Sequence, residues 1–420
     1  MNSRVRWMLI SLLFFGGAIS YLDRAALSVA APFIVRELNL DPASLGLVFS
    51  SFFIGYTVFC FVGGYSADRF GPKTVFTWAM TGWSVFCGLT AICYSLTSLI
   101  IVRVIFGAGE GPFCSTANKL VANWFPRHEQ ASAVGIANAG QPLGAALAGP
   151  LVGYLALTFG WRVSFVAIAS VGIVWVLIWM IVAKDSPYGS QKELDRRAPS
   201  REKGASLAEL GSFMARPMTL ATAFAFFGYF YVLYFFLSWF PSYLTMSQHL
   251  TVQRMALFNV VPWIGGFLGL ASGGFICDTI FKLTGRAIFA RKLIITCSLA
   301  CAAVCTAFAG AVTNLYGAVA LMTFAVFSMY VSGSSYFAIV FDTVPGERVG
   351  AVSGFVHLVG NLAGVLAPAI TGFLVKWSGN FENAFYVTAG VAAFGCLAVV
   401  VFVNANQPGV LTAAAQSPIH

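Results

Sequence analysis

The sequence predicts an all-α membrane protein with twelve transmembrane helices in two six-helix, pseudo-symmetric halves. Three observations carry that expectation. The 420 residues are 59% hydrophobic and only 9% charged, with a mean hydropathy of +0.82, whereas a water-soluble domain carries about 25% charged residues. Apolar runs of roughly 20 residues, the length a helix needs to cross about 30 Å of hydrocarbon, recur from end to end. The basic residues between those runs are distributed very unevenly.

The spans fall near 6–30, 43–66, 74–95, 97–121, 130–158, 161–183, 217–246, 253–277, 290–311, 315–341, 349–375 and 383–404. Between the sixth and seventh lies AKDSPYGSQKELDRRAPSREKGASLAELGSFMARP, a polar, basic stretch containing Pro and Ser. It reads as a cytoplasmic linker, 184–216, between an N-terminal half, 1–183, and a C-terminal half, 217–404. A tail, 405–420, follows. With the N-terminus in the cytoplasm, Arg36, Arg162, Arg254 and Lys376 fall on the far face, and Arg24 and Arg103 fall inside spans. The other eighteen of the 24 basic residues face the cytoplasm, the bias that orients membrane helices. That bias puts both termini in the cytoplasm of a cell whose inner membrane holds the protein. It also accounts for the net charge of +9 through anionic lipid, with no nucleic-acid partner needed.

Arg4 and Arg6 ahead of an apolar stretch have the look of a secretory signal. Asp23 and Arg24 interrupt any such apolar core, so the segment is read as a retained first span. The nine Cys form no C-x-x-C pair. Cys297, Cys301 and Cys305 recur one helical turn apart and are read as packing residues, because soft-metal sites usually bring His or further Cys. No cofactor and no metal are expected.

The two halves resemble each other. GQPLGAALAGPLVG begins at Gly140 and GNLAGVLAPAITG at Gly360, so that Gly140, Gln141 and Gly144 correspond to Gly360, Asn361 and Gly364 at an offset of 220. GGYSADRFG after the second span is faintly echoed by GGFICDTIF after the eighth. Repeated halves in a membrane protein are the mark of secondary transporters, with the cargo near the midplane between the repeats.

Charged residues inside the spans mark the candidate site, because each costs at least about 2.5–3.5 kcal/mol at mid-bilayer and must face a polar interior. AISYLDRAALSVA, 18–30, holds Asp23 beside Arg24. IVRVIFGAGEGP, 101–112, holds Arg103 and Glu110 seven residues apart, hence on one helix face about 10 Å apart along the axis. The alternative reading of Arg103 and Glu110 is a structural ion pair that holds helices together, with Asp23 as a further partner. The turn GGYSADRFGPKT, 63–74, combines close-packing glycines with Asp68, Arg69 and Lys73. Asp68 can accept from a helix N-terminus, and the basic pair can meet carboxylates, so the turn can latch the cytoplasmic side.

YLDRAALSVAAP, GGYSADRFGPK, RVIFGAGEGPFCSTANKLVANWFP and YFFLSWFPSYL occur in that order over nearly the whole chain. Together they resemble the anion:cation symporter family of the major facilitator superfamily. The resemblance implies the major facilitator fold and uptake of organic anions with protons or sodium. Bacterial members import hexuronates, aldonates, aldarates and aromatic carboxylates, and vesicular relatives carry glutamate or sialic acid. It implies site roles for Tyr21, Asp23 and Arg24 in the first span, Tyr56 in the second, Arg103 and Glu110 in the fourth, Gln141 in the fifth and Asn361 in the eleventh. In the tenth span Ser334 or Ser335 supplies a hydroxyl. Pro72 stands where the superfamily's turn often has a second basic residue, which puts one latch contact in doubt.

These residues suggest a division of labour. Arg24 binds a substrate carboxylate, where a planar guanidinium suits bidentate pairing. Asp23, about 100° around the helix, faces Arg103 and Glu110. Two buried positive and two buried negative charges balance. Protonating one carboxylate leaves a net positive cavity that attracts an anion, so proton and substrate favour each other reciprocally. Tyr21, Tyr56, Gln141, Asn361 and Ser335 can hydrogen-bond the hydroxyls of a sugar acid, although each can also serve as an interhelical tie. His357, one turn from Asn361, reads as a packing residue or a proton relay. The expected function is proton-coupled uptake of a small organic anion such as a hexuronate, aldonate or aldarate. Alternatives are an aromatic carboxylate or sulfonate, sodium coupling, or export. The expected partners are the anion and the lipid bilayer. Oligomeric state is not legible, and a monomer is compatible with it. No nucleophile–base pair or phosphate loop suggests an enzyme.

Overall fold

The structure is a computed structural model that describes residues 3–125, 127–186, 207–344 and 346–404. Twelve helices are long and apolar enough to cross a membrane: Val5–Leu38, Pro42–Ala67, Pro72–Ile92, Leu96–Trp124, Ser132–Phe159, Trp161–Val182, Pro217–Met246, Val252–Thr284, Ala287–Ala311, Leu315–Thr343, Val349–Ser378 and Glu382–Phe402. They are the first to twelfth spans below. Most of the expected linker, 187–206, and the tail, 405–420, lie outside the described residues. A short helix, Leu207–Met214, precedes the seventh span.

The starts of the spans follow local chemistry. Asp41 caps the second by accepting from the Ser44 amide at 2.7 Å, with Pro42 in the first turn, where its missing N–H costs nothing. Ser95 and Ser98 cap the fourth reciprocally. Gly71, at φ 89°, turns the chain between the second and third spans, and a side chain there would run into the Asp185 carboxylate. The first helix outruns its expected end near residue 30 and continues through Pro32 to Leu38. A proline is tolerated in a buried membrane helix where neighbours cover the freed carbonyl. The far end of the helix is fixed by Glu37, which accepts from Trp161 Nε1 at 2.7 Å and pairs with Arg162 at 2.6 Å.

Packing repeats with a shift of six spans. The first packs on the fifth, the second on the fourth and the third on the sixth. The seventh packs on the eleventh, the eighth on the tenth and the ninth on the twelfth. Between the two sets the second span meets the eleventh, the fifth meets the eighth, and the first meets the seventh. Glycine permits the closest approaches. A Cβ at Gly144 would lie 1.9 Å from the Ala18 carbonyl oxygen, and one at Gly107 would lie 1.9 Å from that of Phe52. The Gly140 and Gly360 environments are not equivalent. Gly140 lies against the Phe14 backbone, whereas Gly360 lies against the Phe226 and Phe230 rings.

The sets are clamped together at the end that carries Leu38. There Gly46 abuts Pro368 and Gly372, Gly149 abuts Ala256, and Lys376 pairs with Asp41 at 2.7 Å. At the opposite end a Cβ at Gly135, Gly274, Gly350 or Gly354 would meet nothing within 4 Å among the described residues, as is also true of Gly160 and Gly379 at the Leu38 end.

Substituting Gly144 by Ala should therefore lower the melting temperature of the detergent-purified protein by several degrees, since overpacking a tight interface typically costs about 1–3 kcal/mol. Gly274→Ala should leave it unchanged. Equal melting of the two variants would show that the close approach of the first and fifth spans is not under packing constraint.

Candidate functional site

The fourth span is broken at its middle. One helix ends at Glu110 and the next begins at Phe113, because Pro112 has no N–H to continue the ladder. The preceding turns lie flat on the second span through Gly107 and Gly111. Glu110 sits at the break and meets the first span. Its Oε1 accepts from Arg24 Nε at 2.7 Å and Nη2 at 2.6 Å, and also from the Ser20 hydroxyl. Its Oε2 is buried and has no hydrogen-bond partner among the described residues. Three donors therefore load one carboxylate oxygen while the other stays bare.

Aromatic rings enclose the pair. The Arg24 guanidinium lies 4.4 Å from the Tyr56 ring centre, 5.0 Å from Phe52 and 5.1 Å from Tyr21, distances at which a cation is attracted to a ring face. Arg24 is 7% exposed and Glu110 is fully buried. Arg103 is packed against Phe52 and Phe106, at 5.0 and 4.9 Å, and its Nε has no partner. Asp23 turns away from Arg24 toward Trp83 and Cys87 of the third span, within electrostatic reach of Arg103 and Glu110. Asp23, expected to face Arg103 and Glu110 of the fourth span, has its side chain directed instead at the third. The partner of Glu110 is Arg24, so the guanidinium is clamped by a carboxylate and not free.

The second set of spans supplies polar groups without charge. Tyr234 donates to Asn361 Oδ1 at 2.9 Å, and Asn361 Nδ2 donates to the His357 carbonyl at 2.8 Å. His357 lies among the rings of Phe226, Phe230 and Phe337. Tyr234 stacks on Phe230 and touches Phe53 across the two sets, with ring centres 4.2 Å apart. Gln141 is half-buried, donates to Asn138 at 3.3 Å, and lies beside Gly17 of the first span. Ser335 opens the second helix of the broken tenth span, buried and with its hydroxyl unpartnered. The structure therefore brings Tyr21, Asp23, Arg24, Tyr56, Arg103 and Glu110 together. Asn361 faces them through Tyr234, and Gln141 and Ser335 stand apart from the ion pair.

The turn motif lies elsewhere. The side chain of Asp68 lies outside the described residues. Arg69 is exposed beside the Phe70 ring. Lys73 is tied within its own half, its amide to Asp185 Oδ1 at 2.8 Å and its ammonium to the Met180 carbonyl at 2.9 Å. Two grooves, of 430 and 370 Å³, open on the bundle's sides and contain neither Arg24 nor Glu110. Among the described residues no three His, Cys, Asp or Glu gather as a metal site. Sequence reasoning missed Tyr234 and Tyr330, which lie within electrostatic reach of Arg24. The available signal was a phenolic hydroxyl at mid-depth of an apolar span.

Twelve spans in two related sets, with buried charge and tyrosines where the sets meet, define a polytopic membrane carrier. Residues 13–364 and 283–418 match the model of the Major Facilitator Superfamily. The chain is similar to the hexuronate transporter of Bacillus subtilis, with 44% identity over 96% of each chain. It is similar to the D-galactonate transporter of Escherichia coli O6:H1, with 31% identity over 96% of each. It shares 30% identity with a probable sulfoacetate transporter of Cupriavidus necator, over 96% of this chain and 94% of that one. Among solved structures it resembles a bacterial homologue of the human lysosomal transporter Spinster, inward-facing and unoccupied. There the TM-score is 0.74 and the identity 19%, over 96% of this chain and 98% of that one. The chain belongs to the Major Facilitator Superfamily.

Removing one partner of a buried ion pair typically costs about 3–5 kcal/mol, whereas replacing both by apolar groups is often neutral. Glu110→Ala and Arg24→Ala should each melt well below the wild type, and the double variant Arg24→Met with Glu110→Leu should recover most of the loss. Melting of the double variant at the sum of the two losses would show that the residues do not act as a pair.

Proposed function

We propose that the protein takes up a hexuronate together with a proton. The observation that carries the reading is the carboxylate of Glu110 seated on Arg24 with one oxygen bare. A cargo carboxylate needs the same guanidinium. With Glu110 ionised the two carboxylates compete, and the cargo gains little. A proton on the bare Oε2 disturbs no existing hydrogen bond, neutralises Glu110 and frees the guanidinium for the incoming anion. Proton and anion then raise each other's affinity, as linkage requires. Asp23 and Arg103 hold a second pair of opposite charges beside the first and keep the rest of the interior balanced. Tyr21, Tyr56, Gln141, Asn361 and Ser335 supply hydroxyl and amide groups for the sugar.

The names of the relatives support a sugar acid as cargo, and the hexuronate transporter of Bacillus subtilis shares the highest identity among those compared above. The distribution of basic residues supports cytoplasmic termini in the cell's inner membrane. On that orientation the clamped end faces outward. Lys73 ties the cytoplasmic turn within the first half, and the latch role of Asp68 and Arg69 rests on the sequence motif alone. A membrane potential opposes entry of a monoanion by about 2.3 kcal/mol per 100 mV, and one accompanying proton cancels that opposition.

The test is uptake of labelled D-glucuronate into proteoliposomes under an inward proton gradient, an inward sodium gradient or neither. Accumulation should require the proton gradient. Glu110→Gln should keep exchange of labelled for unlabelled hexuronate and lose accumulation, and Arg24→Ala should abolish both. Accumulation driven by sodium, or transport of an aromatic acid or sulfonate in place of the hexuronate, would overturn the reading.

The outer clamp sets a pH window of its own. The Lys376 ammonium, followed by the Ser44 amide, holds the Asp41 carboxyl down at about 2. A carboxylate lowered in the clamped state contributes above its free value, near 4, and loses that contribution as pH falls toward 2. Asp41→Asn should therefore change the transport rate by the same factor everywhere between pH 5 and 8. A factor that varies across that range would assign part of the pH response to the clamp.

A further inference from the structure

The two sets of spans divide their chemistry unequally. The buried charged side chains, Asp23, Arg24, Arg103 and Glu110, all come from the first set, and among the described residues of the seventh to twelfth spans no Asp, Glu, Lys or Arg is buried. The wall opposite Arg24 is therefore neutral. Tyr330 of the tenth span stands out within it. It is 4% exposed, and its buried hydroxyl faces that of Tyr21 but has no partner at hydrogen-bond distance among the described residues. Its ring packs on the eighth span, where a Cβ at Gly266 would come within 2.7 Å of it. The same side chain approaches Tyr21 and Arg24 from across the junction of the sets.

A buried, unpaired phenol is costly to keep. Here its side chain packs against the glycine face of the eighth span at Gly266 and Gly269. We infer that Tyr330 reads a hydroxyl of the cargo at the end remote from the carboxylate, and that the neutral second set restricts the carrier to monoanionic acids. The inference rests on the sugar-acid reading above. A uronate brings one carboxylate to Arg24 and presents only hydroxyls and a ring face to the opposite wall. An aldarate of the same length would bury a second carboxylate where no cation waits, and an uncompensated buried charge is costly. Tyr330 is assigned as a specificity residue, distinct from the pair that couples to the proton.

The experiment compares three probes by calorimetric binding to the purified full-length protein: D-glucuronate, D-glucarate and tetrahydropyran-2-carboxylate. The last is a ring acid without hydroxyls. The wild type should bind D-glucuronate at least about tenfold more tightly than D-glucarate. Tyr330→Phe should weaken D-glucuronate about tenfold, the effect of about 1.4 kcal/mol for a lost hydrogen bond, and leave the hydroxyl-free acid unchanged. Gly266→Ala, which displaces the ring without removing the hydroxyl, should weaken D-glucuronate selectively as well and serves if Tyr330→Phe fails to fold. Unchanged D-glucuronate binding in Tyr330→Phe would overturn the role of the hydroxyl. Equal wild-type affinity for D-glucarate and D-glucuronate would overturn the role of the neutral wall. Wild-type protein that binds no hexuronate but does bind a hydroxyl-free aromatic acid would instead overturn the sugar-acid reading on which the inference rests.

Discussion

The ion pair between Arg24 and Glu110 is the constraint around which the membrane-buried centre is organised. A charge at that depth is tolerated only when paired and shielded. Glycines let the fourth span lie on the second and the fifth on the first, and Pro112 interrupts the fourth span where Glu110 must reach across. Ser20 adds a third donor to the loaded oxygen. Tyr21, Phe52 and Tyr56 close over the guanidinium and keep water from competing for it. Without this framework the two side chains would be unpaired charges in a poorly polarisable medium.

The second set of spans answers with shape and hydroxyls. The same packing pattern, shifted by six, produces the same architecture, but the break in the tenth span carries Ser335 where the fourth carries a carboxylate nearby. Tyr234 and Asn361 are hydrogen-bonded to each other, whereas the buried Tyr330 and Ser335 hydroxyls have no partner at hydrogen-bond distance among the described residues. An internal repeat has thus kept its backbone plan while its two copies took different chemistry. One copy carries buried charge, and the other carries buried hydroxyl and amide groups.

Much of this was legible in the sequence because membrane insertion penalises exceptions. Asp23, Arg24, Arg103 and Glu110 are conspicuous within apolar runs, and the twelve runs themselves announce the fold. The choice of partner was not legible. Asp23 and Arg24 point about 100° apart, and which of them meets Glu110 depends on the rotation of the first helix, fixed by its glycine contacts with the fifth span. Tyr234 and Tyr330 were hidden for a different reason. In a chain that is 15% aromatic, a phenol looks like core until its hydroxyl is seen paired or bare. The breaks at Pro112 and at Asn259, where Pro262 cannot bond back to Phe258, carry a visible signal, but the one at Gly333 has no proline beside it. The first helix runs on to Leu38 because Arg162 and Trp161, distant in sequence, hold Glu37.

On the proposed reading, the same electrostatics also decides which loaded states can cross. The empty carrier has Arg24 satisfied by Glu110. The carrier with both proton and anion has Arg24 satisfied by the cargo and Glu110 neutral. The two half-loaded states lack that balance. An anion bound beside an ionised Glu110 leaves one carboxylate in excess, and a proton bound without an anion leaves the guanidinium unpaired. Closing a low-dielectric bundle around an uncompensated charge costs several kcal/mol, enough to make such passages rare by a factor of hundreds or more at about 1.4 kcal/mol per tenfold. Tight coupling then needs no separate gate that senses occupancy. It follows from two carboxylates sharing one arginine in a place where no unpaired charge is tolerated.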